Sequence, residues 1–296
     1  MARKTASARD GSGSEVARPG TLYLVGTPIG NLEDITLRAL KTLKAVDLIA
    51  CEDTRQTLKL LNHYGIAKPT TSYHEHNELT KAAELVVHLE GGDDIALVTD
   101  AGTPGVSDPG YRLVALAVRH HIPVVPIPGP SAFLSSLVAS GLPTDSFRFS
   151  GFLPSKAGAR RTLLEAILDS PLTQIFYEAP HRIMETLRDV VRILGPARHV
   201  VIAREVTKLH EEFLRGRADK VSEQMQHRGE IKGEITLLIG RAEETSSAPL
   251  SSGGVAKRVK ELMRIEQMQE KAALKQAAKE FGLSKSEAYR ELQRSK

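Results

Sequence analysis

Short apolar runs rich in β-branched residues recur from residue 22 onward: LYLV at 22–25, VDLIA at 46–50, IALVT at 95–99 and PVVPI at 123–127. Between them, apolar side chains return every three or four positions in ITLRALKTL (35–43), TRQTLKLLNHY (54–64), LTKAAELVVHLE (79–90) and YRLVALAVRHH (111–121). Helical periods alternating with short apolar strands predict βα units, and strands without polar alternation predict a parallel sheet covered on both faces. A second set follows. The pattern predicts a helix over 131–141, strands over 147–152, 174–178, 199–203 and 235–240, and helices over 160–168 and 181–195, each closed by Pro or Gly. This is a second α/β unit with a mixed sheet.

The expected organisation is a disordered tail over 1–20, an N-terminal α/β domain over 21–128, a C-terminal α/β domain over 129–244, a Ser/Gly/Pro linker over 245–254 and a helical module over 255–296. In that module 271–280 reads as one helix, Gly282 as the turn, and Lys285–Arg294 as a second helix capped by Ser284. With Leu283, Ala288 and Leu292 as its core, this fits a helix-turn-helix.

Charge sharpens the picture. The net +4 is uneven: residues 253–296 carry eleven Lys or Arg against six Glu, while residues 21–252 are slightly acidic. Basic ends on an acidic body suit a core with appended nucleic-acid contacts, or simply a soluble surface. The single cysteine, Cys51, excludes an internal disulfide and zinc or iron–sulfur sites built from several cysteines, and points to a reducing cytoplasm. No apolar run approaches the roughly 18 residues a membrane span needs. With no Trp and 4% aromatics, a surface that grips single strands mainly by many stacked rings is disfavoured.

The candidate chemistry sits in strand-end loops. A P-loop, a G-x-G-x-x-G turn, an H-E-x-x-H helix and a G-x-S-x-G elbow are all missing from the sequence. Present are VGTPIGNLED (25–34), whose Asn31 or Asp34 can cap a helix, and CEDTR (51–55), with Asp53 or Thr54 as a cap. TDAGTPGVSDPG (99–110) has more Gly and Pro turns than a mere connection needs, and suits a polar ligand lying across the sheet end. PIPGPSA (126–132) ends at a helix start whose amides can receive a carboxylate. YHEHNE (73–78), YEAPHR (177–182), AREVTK (203–208) and KGE (232–234) complete the set; each also reads as an ordinary surface turn.

In this order and at this spacing the loops resemble the bacterial small-subunit ribosomal RNA 2′-O-methyltransferases, a branch of the tetrapyrrole methylase superfamily; the likeness runs from about residue 21 to 241. The first loop, Gly26-Thr27-Pro28-Ile29-Gly30-Asn31, favours that branch over the methylases of tetrapyrrole rings. The resemblance implies two α/β domains with S-adenosylmethionine in the cleft between them, a helix-turn-helix extension, a homodimer, and as substrate a cytidine ribose in the decoding region of small-subunit RNA, within the assembled subunit. It places the cofactor on Pro28, Ala101, Gly102, Thr103, Val106, Ser131, Ala132, Glu178 and Ala203, with Asp100 contributing. Sulfonium chemistry needs no metal ligand. A ribose hydroxyl profits from a positioned base, for which Asp53, His74, Glu75 and Glu205 are the candidates. Arg55, Arg204 and Lys208 are candidates for phosphates near the target, Lys285 and Arg290 for RNA on the last helix.

Overall fold

A computed structural model of the chain describes residues 18–242, 255–265, 268–281 and 284–294. Nearly all of the expected tail, the whole linker, and the turn residues Gly282 and Leu283 lie outside the described residues.

The first sheet contains β1 (Leu22–Val25), β2 (Leu48–Cys51), β3 (Thr70–Ser72), β4 (Ile95–Val98) and β5 (Val124–Ile127), in the order β3-β2-β4-β1-β5. All its pairings are parallel. Helices α1 (Leu37–Ala45), α2 (Thr54–His63), α3 (Glu78–Glu90) and α4 (Tyr111–Arg119) connect them. Successive strand residues point to opposite faces: Ala50 joins the core with α3 and α4, whereas Ile49 and Cys51 join the core with α1 and α2. Burial on both faces is why these strands are apolar throughout. Cys51 is fully buried, and burial pushes its thiol up, so it is an inert core side chain.

The second sheet contains β6 (Phe147–Phe152), β7 (Thr173–Glu178), β8 (His199–Arg204), β9 (Glu212–Arg217) and β10 (Ile235–Ile239), in the order β6-β7-β10-β8-β9. Only β6 and β7 run parallel; the rest is antiparallel, so the sheet is mixed as expected. One face packs on α6 (Ala157–Ala166), α7 (Ile183–Leu194) and α8 (Ala218–Gln226) around Phe176, Ile202 and Leu237. The other receives α5 (Ala132–Ser140), whose Leu137 meets Ile175, Val201 and Leu238. The segment 128–131 therefore carries the chain from the end of the first sheet directly onto the second.

Residues 242–296 form a separate unit with its own core. Its described residues form three helices rather than the two expected: α9 (Val255–Ile265) precedes α10 (Glu270–Glu280) and α11 (Lys285–Arg294). Val255, Val259 and Leu262 of α9 pack with Ala277, Ala278, Ala288 and Leu292. The pair α10–α11 alone would leave that stripe uncovered.

Candidate active site

Strands β4, β1 and β5 are neighbours, so the loops after them lie side by side at the carboxyl edge of the sheet, where open α/β sheets bind ligands. They are laced together. The Thr27 amide donates to Gly102 O at 2.8 Å, and the Gly102 amide returns to Thr27 O at 3.1 Å. The buried Thr27 hydroxyl donates to Thr99 O at 3.1 Å. Asn31 caps a single 3₁₀ turn, and Thr36 rather than Asp34 caps α1.

A cavity of about 350 Å³ opens here, a volume suited to a small-molecule ligand. The first sheet supplies Ile29, Ala101, Gly102, Thr103, Val106, Ser107 and Asp108; Ser131 and Ala132 come from the start of α5. The second sheet supplies Phe152, Tyr177, Glu178, Ala179, Pro180, Ala203, Val206 and the run 233–236. Ala101, Gly102, Thr103, Val106, Ser131, Ala132, Glu178 and Ala203 are thus brought together from distant parts of the chain. Pro28 is half-buried in the first loop and Asp100 is exposed, accepting the Asp53 amide at 3.2 Å; neither is on the wall.

Ser131 stands at the N-cap of α5, but its side chain makes no capping bond, so the first amides of that helix remain for an anion. Glu178 is buried and fully engaged: it accepts from the Ala179 amide (2.8 Å) and the Thr186 hydroxyl (2.6 Å) and pairs with Arg182 (2.6 Å). It shapes the turn YEAPHR.

The four base candidates lie off the cavity wall. Asp53 caps α2 and is gripped by Arg55 through contacts of 2.7 and 3.1 Å. Those hydrogen bonds pull its carboxyl down to about 2. His74 and Glu75 sit in the turn after β3, where His74 faces His76 at 5.9 Å and Glu75 is exposed. Glu205 accepts from the Glu234 amide (3.0 Å) and the Lys208 ammonium (2.9 Å). Burial works upward on its carboxyl, but these partners hold it below its ordinary value.

Two carboxylates on the wall, Asp108 and Glu234, were not among the sequence candidates. Burial pushes the Asp108 carboxyl up to about 6; hydrogen bonding to Thr99 opposes this, and the negative charges of Glu52 and Asp100 reinforce it. It lay within TDAGTPGVSDPG, but nothing in the spacing distinguished it from Asp100. Beside it Ser107 adopts φ +61, and Glu205 and Thr207 in AREVTK adopt +52 and +71. Non-glycine residues in the left-handed region concentrate at functional sites.

The basic candidates divide. Arg204 is held by Glu212 (3.3 Å) and Lys232 O (3.1 Å). Lys208 pairs with both Glu205 and Glu234, its stem lying across Gly30 of the first loop. Arg55 pairs with Asp53 yet keeps 86% of its side chain exposed. Arg290 is exposed on α11 beside Tyr289, and the side chain of Lys285 lies outside the described residues. Among the described residues, no group of three His, Cys, Asp or Glu is placed to hold a metal, and no helix is long and apolar enough to cross a membrane.

Comparison with known proteins agrees with this geometry. Residues 21–222 match the family model of tetrapyrrole (corrin/porphyrin) methylases. Proteins named ribosomal RNA small subunit methyltransferase I are similar over nearly the whole chain. The one from Mesorhizobium japonicum is 49% identical, covering 93% of each chain; that from Escherichia coli O157:H7 is 45% identical, covering 92% of this chain and 94% of its own. Among solved structures, uroporphyrin III C-methyltransferase from Thermus thermophilus superposes with TM-score 0.54 at 19% identity, covering 75% of this chain and 98% of that one. A diphthine synthase does so with TM-score 0.58 at 13% identity, covering 75% and 90%. These distant likenesses establish the fold alone; the family model and the closer relatives show that the chain belongs to the tetrapyrrole methylase family and, within it, to the ribosomal RNA small subunit methyltransferases I.

Proposed function

We propose that the protein methylates a cytidine ribose 2′-oxygen in the decoding region of small-subunit ribosomal RNA, using S-adenosylmethionine. The observation that carries this reading is the cavity itself, in which three Gly/Pro-rich strand-end loops and the start of α5 form one wall and the second sheet the other. Its residues fit the cofactor. The amides at the start of α5 suit a carboxylate, Asp108 and Glu234 suit positive charge, and Ile29, Val106, Val206 and Ile235 suit the apolar faces of a nucleoside. When bound, the cofactor supplies an electrophilic methyl on a sulfonium.

The chain must align the hydroxyl with that methyl and receive its proton. Asp108 is the acceptor in this reading. It lies on the wall, and a carboxyl near 6 is ionised at neutral pH yet far more basic than one at about 2. Asp53, with Arg55, and Glu205, with Lys208, hold loops instead. Arg55 and Arg290 are the exposed cations from which phosphate contacts are drawn. The protein acts in the cytoplasm, on the assembled 30S subunit. It pairs as a homodimer, for which exposed Leu79, Val87, Tyr111 and Val118 on the adjoining helices α3 and α4 offer an apolar face.

The test is methyl transfer from labelled S-adenosylmethionine to unmodified small subunits, to naked ribosomal RNA and to a uroporphyrinogen-type ring. Label on a ribose 2′-oxygen of subunits or RNA is expected. Label on the ring alone would overturn the reading.

A further inference from the structure

Phe152 is anomalous. It is a large aromatic residue, 58% exposed, at the mouth of the cavity it helps to line. Its position is built. Strand β6 pairs regularly with β7 through Phe149, then shifts register before Phe152 pairs with Tyr177. Within the shift Gly151 adopts φ +65, and Ser107 Oγ lies 3.2 Å from where a Cβ there would stand. Register shifts of this kind re-aim the side chain that follows. Inward from Phe152 runs a row of rings. Phe152 meets Tyr177 edge-on at 5.5 Å, Tyr177 meets Phe149 at 4.9 Å, and Phe149 stacks on Phe133 at 4.5 Å. The inner rings support one another, so among the described residues that line the cavity Phe152 alone presents so much open ring, in a chain with seven Phe and no Trp.

We propose that the open face of Phe152 is the stacking platform for the nucleobase of the nucleotide whose ribose is methylated. This rests on the reading of the protein as an RNA ribose methyltransferase. Single-stranded RNA is recognised by splaying a base onto an aromatic ring, and a ribose can enter the cavity only if its base is received nearby. The adenine of the cofactor shares the same chemistry, but a ring more than half exposed at the mouth is placed for the ligand that arrives from outside. Phe152 is a positioning residue: it orients the base and thereby the hydroxyl, and takes no proton.

The test compares Phe152→Ala, Phe152→Tyr and Phe152→Trp in the full-length protein. Phe152→Ala is expected to lower kcat/KM for the RNA substrate about 10- to 100-fold, the range base–aromatic stacking supports. The dissociation constant for S-adenosylmethionine, measured by calorimetry without RNA, should stay within about twofold, and Phe152→Tyr should recover most of the rate. A second readout does not depend on turnover. The chain has no tryptophan, so emission from Phe152→Trp reports that position alone. It should be quenched when RNA carrying the target cytidine binds, with binding followed in parallel by the anisotropy of the labelled RNA. RNA kinetics unchanged in Phe152→Ala, or RNA bound without quenching, would overturn the proposal. Loss of cofactor affinity equal to the loss of RNA turnover would assign the ring to the adenine instead. Failure of the broader reading looks different, because the unaltered protein would then methylate no RNA at all.

Discussion

Gly26 and Gly129 stand backbone to backbone, so close that a Cβ added to either would lie 2.8 Å from the other's Cα. The contact joins the loops after β1 and β5 one residue before Thr27 bonds to Gly102, so all three loops are set by close backbone approach. Gly26→Ala must separate them. The expected cost is about 1–3 kcal/mol of stability, with cofactor affinity reduced at least tenfold. Thermal melts and calorimetry measure both. Gly158→Ala, in α6 with open space around it, serves as the contrasting case and should stabilise by about 0.5–1 kcal/mol.

Asp108 gives a prediction in pH. Its carboxyl titrates near 6 in the folded chain against an ordinary 3.8. With the folded value raised, its contribution to stability is complete below 3.8 and is lost as pH rises through 6. Asp108→Asn should therefore melt higher than the unaltered protein at pH 8 and show no such gain at pH 4. Activity moves the other way. The rate should climb with pH to a plateau above about 6. Asp108→Asn should remove that limb and lower the plateau by about 10²–10⁴-fold. An unchanged pH profile in Asp108→Asn would exclude it as the proton acceptor.

Glu178 tests a structural reading of a wall residue. Its carboxylate satisfies the Ala179 amide, the Thr186 hydroxyl and the guanidinium of Arg182, whose side chain is 17% exposed. Glu178→Ala strands all three. The expected loss is about 3–5 kcal/mol, read as the shift in a urea midpoint at constant slope. Cofactor binding should weaken only as far as the turn at Ala179 and Pro180 is disturbed.

Thr103→Arg tests the cavity directly. The long cation would occupy space between the loop after β4 and the second sheet. Cofactor binding should vanish by calorimetry while the melting temperature changes by only a few degrees, because Thr103 is half-exposed and outside the core.

The sequence made some of this legible and not the rest, for definable reasons. Burial on both faces leaves an apolar signature, so β1, β2, β4 and β5 were readable almost to the residue. Strand β3, only Thr70–Ser72, is too short to show a period, and β9, EFLRGR, is an edge strand with a glycine and three charges. Helix α8, ADKVSEQMQ, hides its apolar stripe in Ala218, Val221 and Met225. At the site, turn-forming residues identified the loops after β1, β4 and β5. They did not rank the carboxylates, because Asp53 and Asp108 differ only in what the fold sets beside them: a guanidinium for one, burial for the other. Phe152 gave no signal either, since its meaning lies in a register shift and in its exposure.

The last prediction concerns the C-terminal unit. Its core is made from its own three helices, and the cavity is lined entirely by residues from 29 to 236. Deletion of 253–296 should therefore leave cofactor affinity and the melting of the α/β body within error of the full chain. It removes eleven Lys or Arg and six Glu, and with them Arg290 and Tyr289, exposed together on α11. Every phosphate that is no longer neutralised should reduce the slope of log K against log salt by about one. Arg290→Ala alone should lower that slope by about one; the deletion should lower it further and weaken RNA binding at low salt by about tenfold or more. A filter-binding series across roughly 50 to 300 mM salt, the range over which counterion release dominates, measures this. An unchanged slope after deletion would mean that RNA is held by the α/β body alone, with Arg55 the first cation to examine.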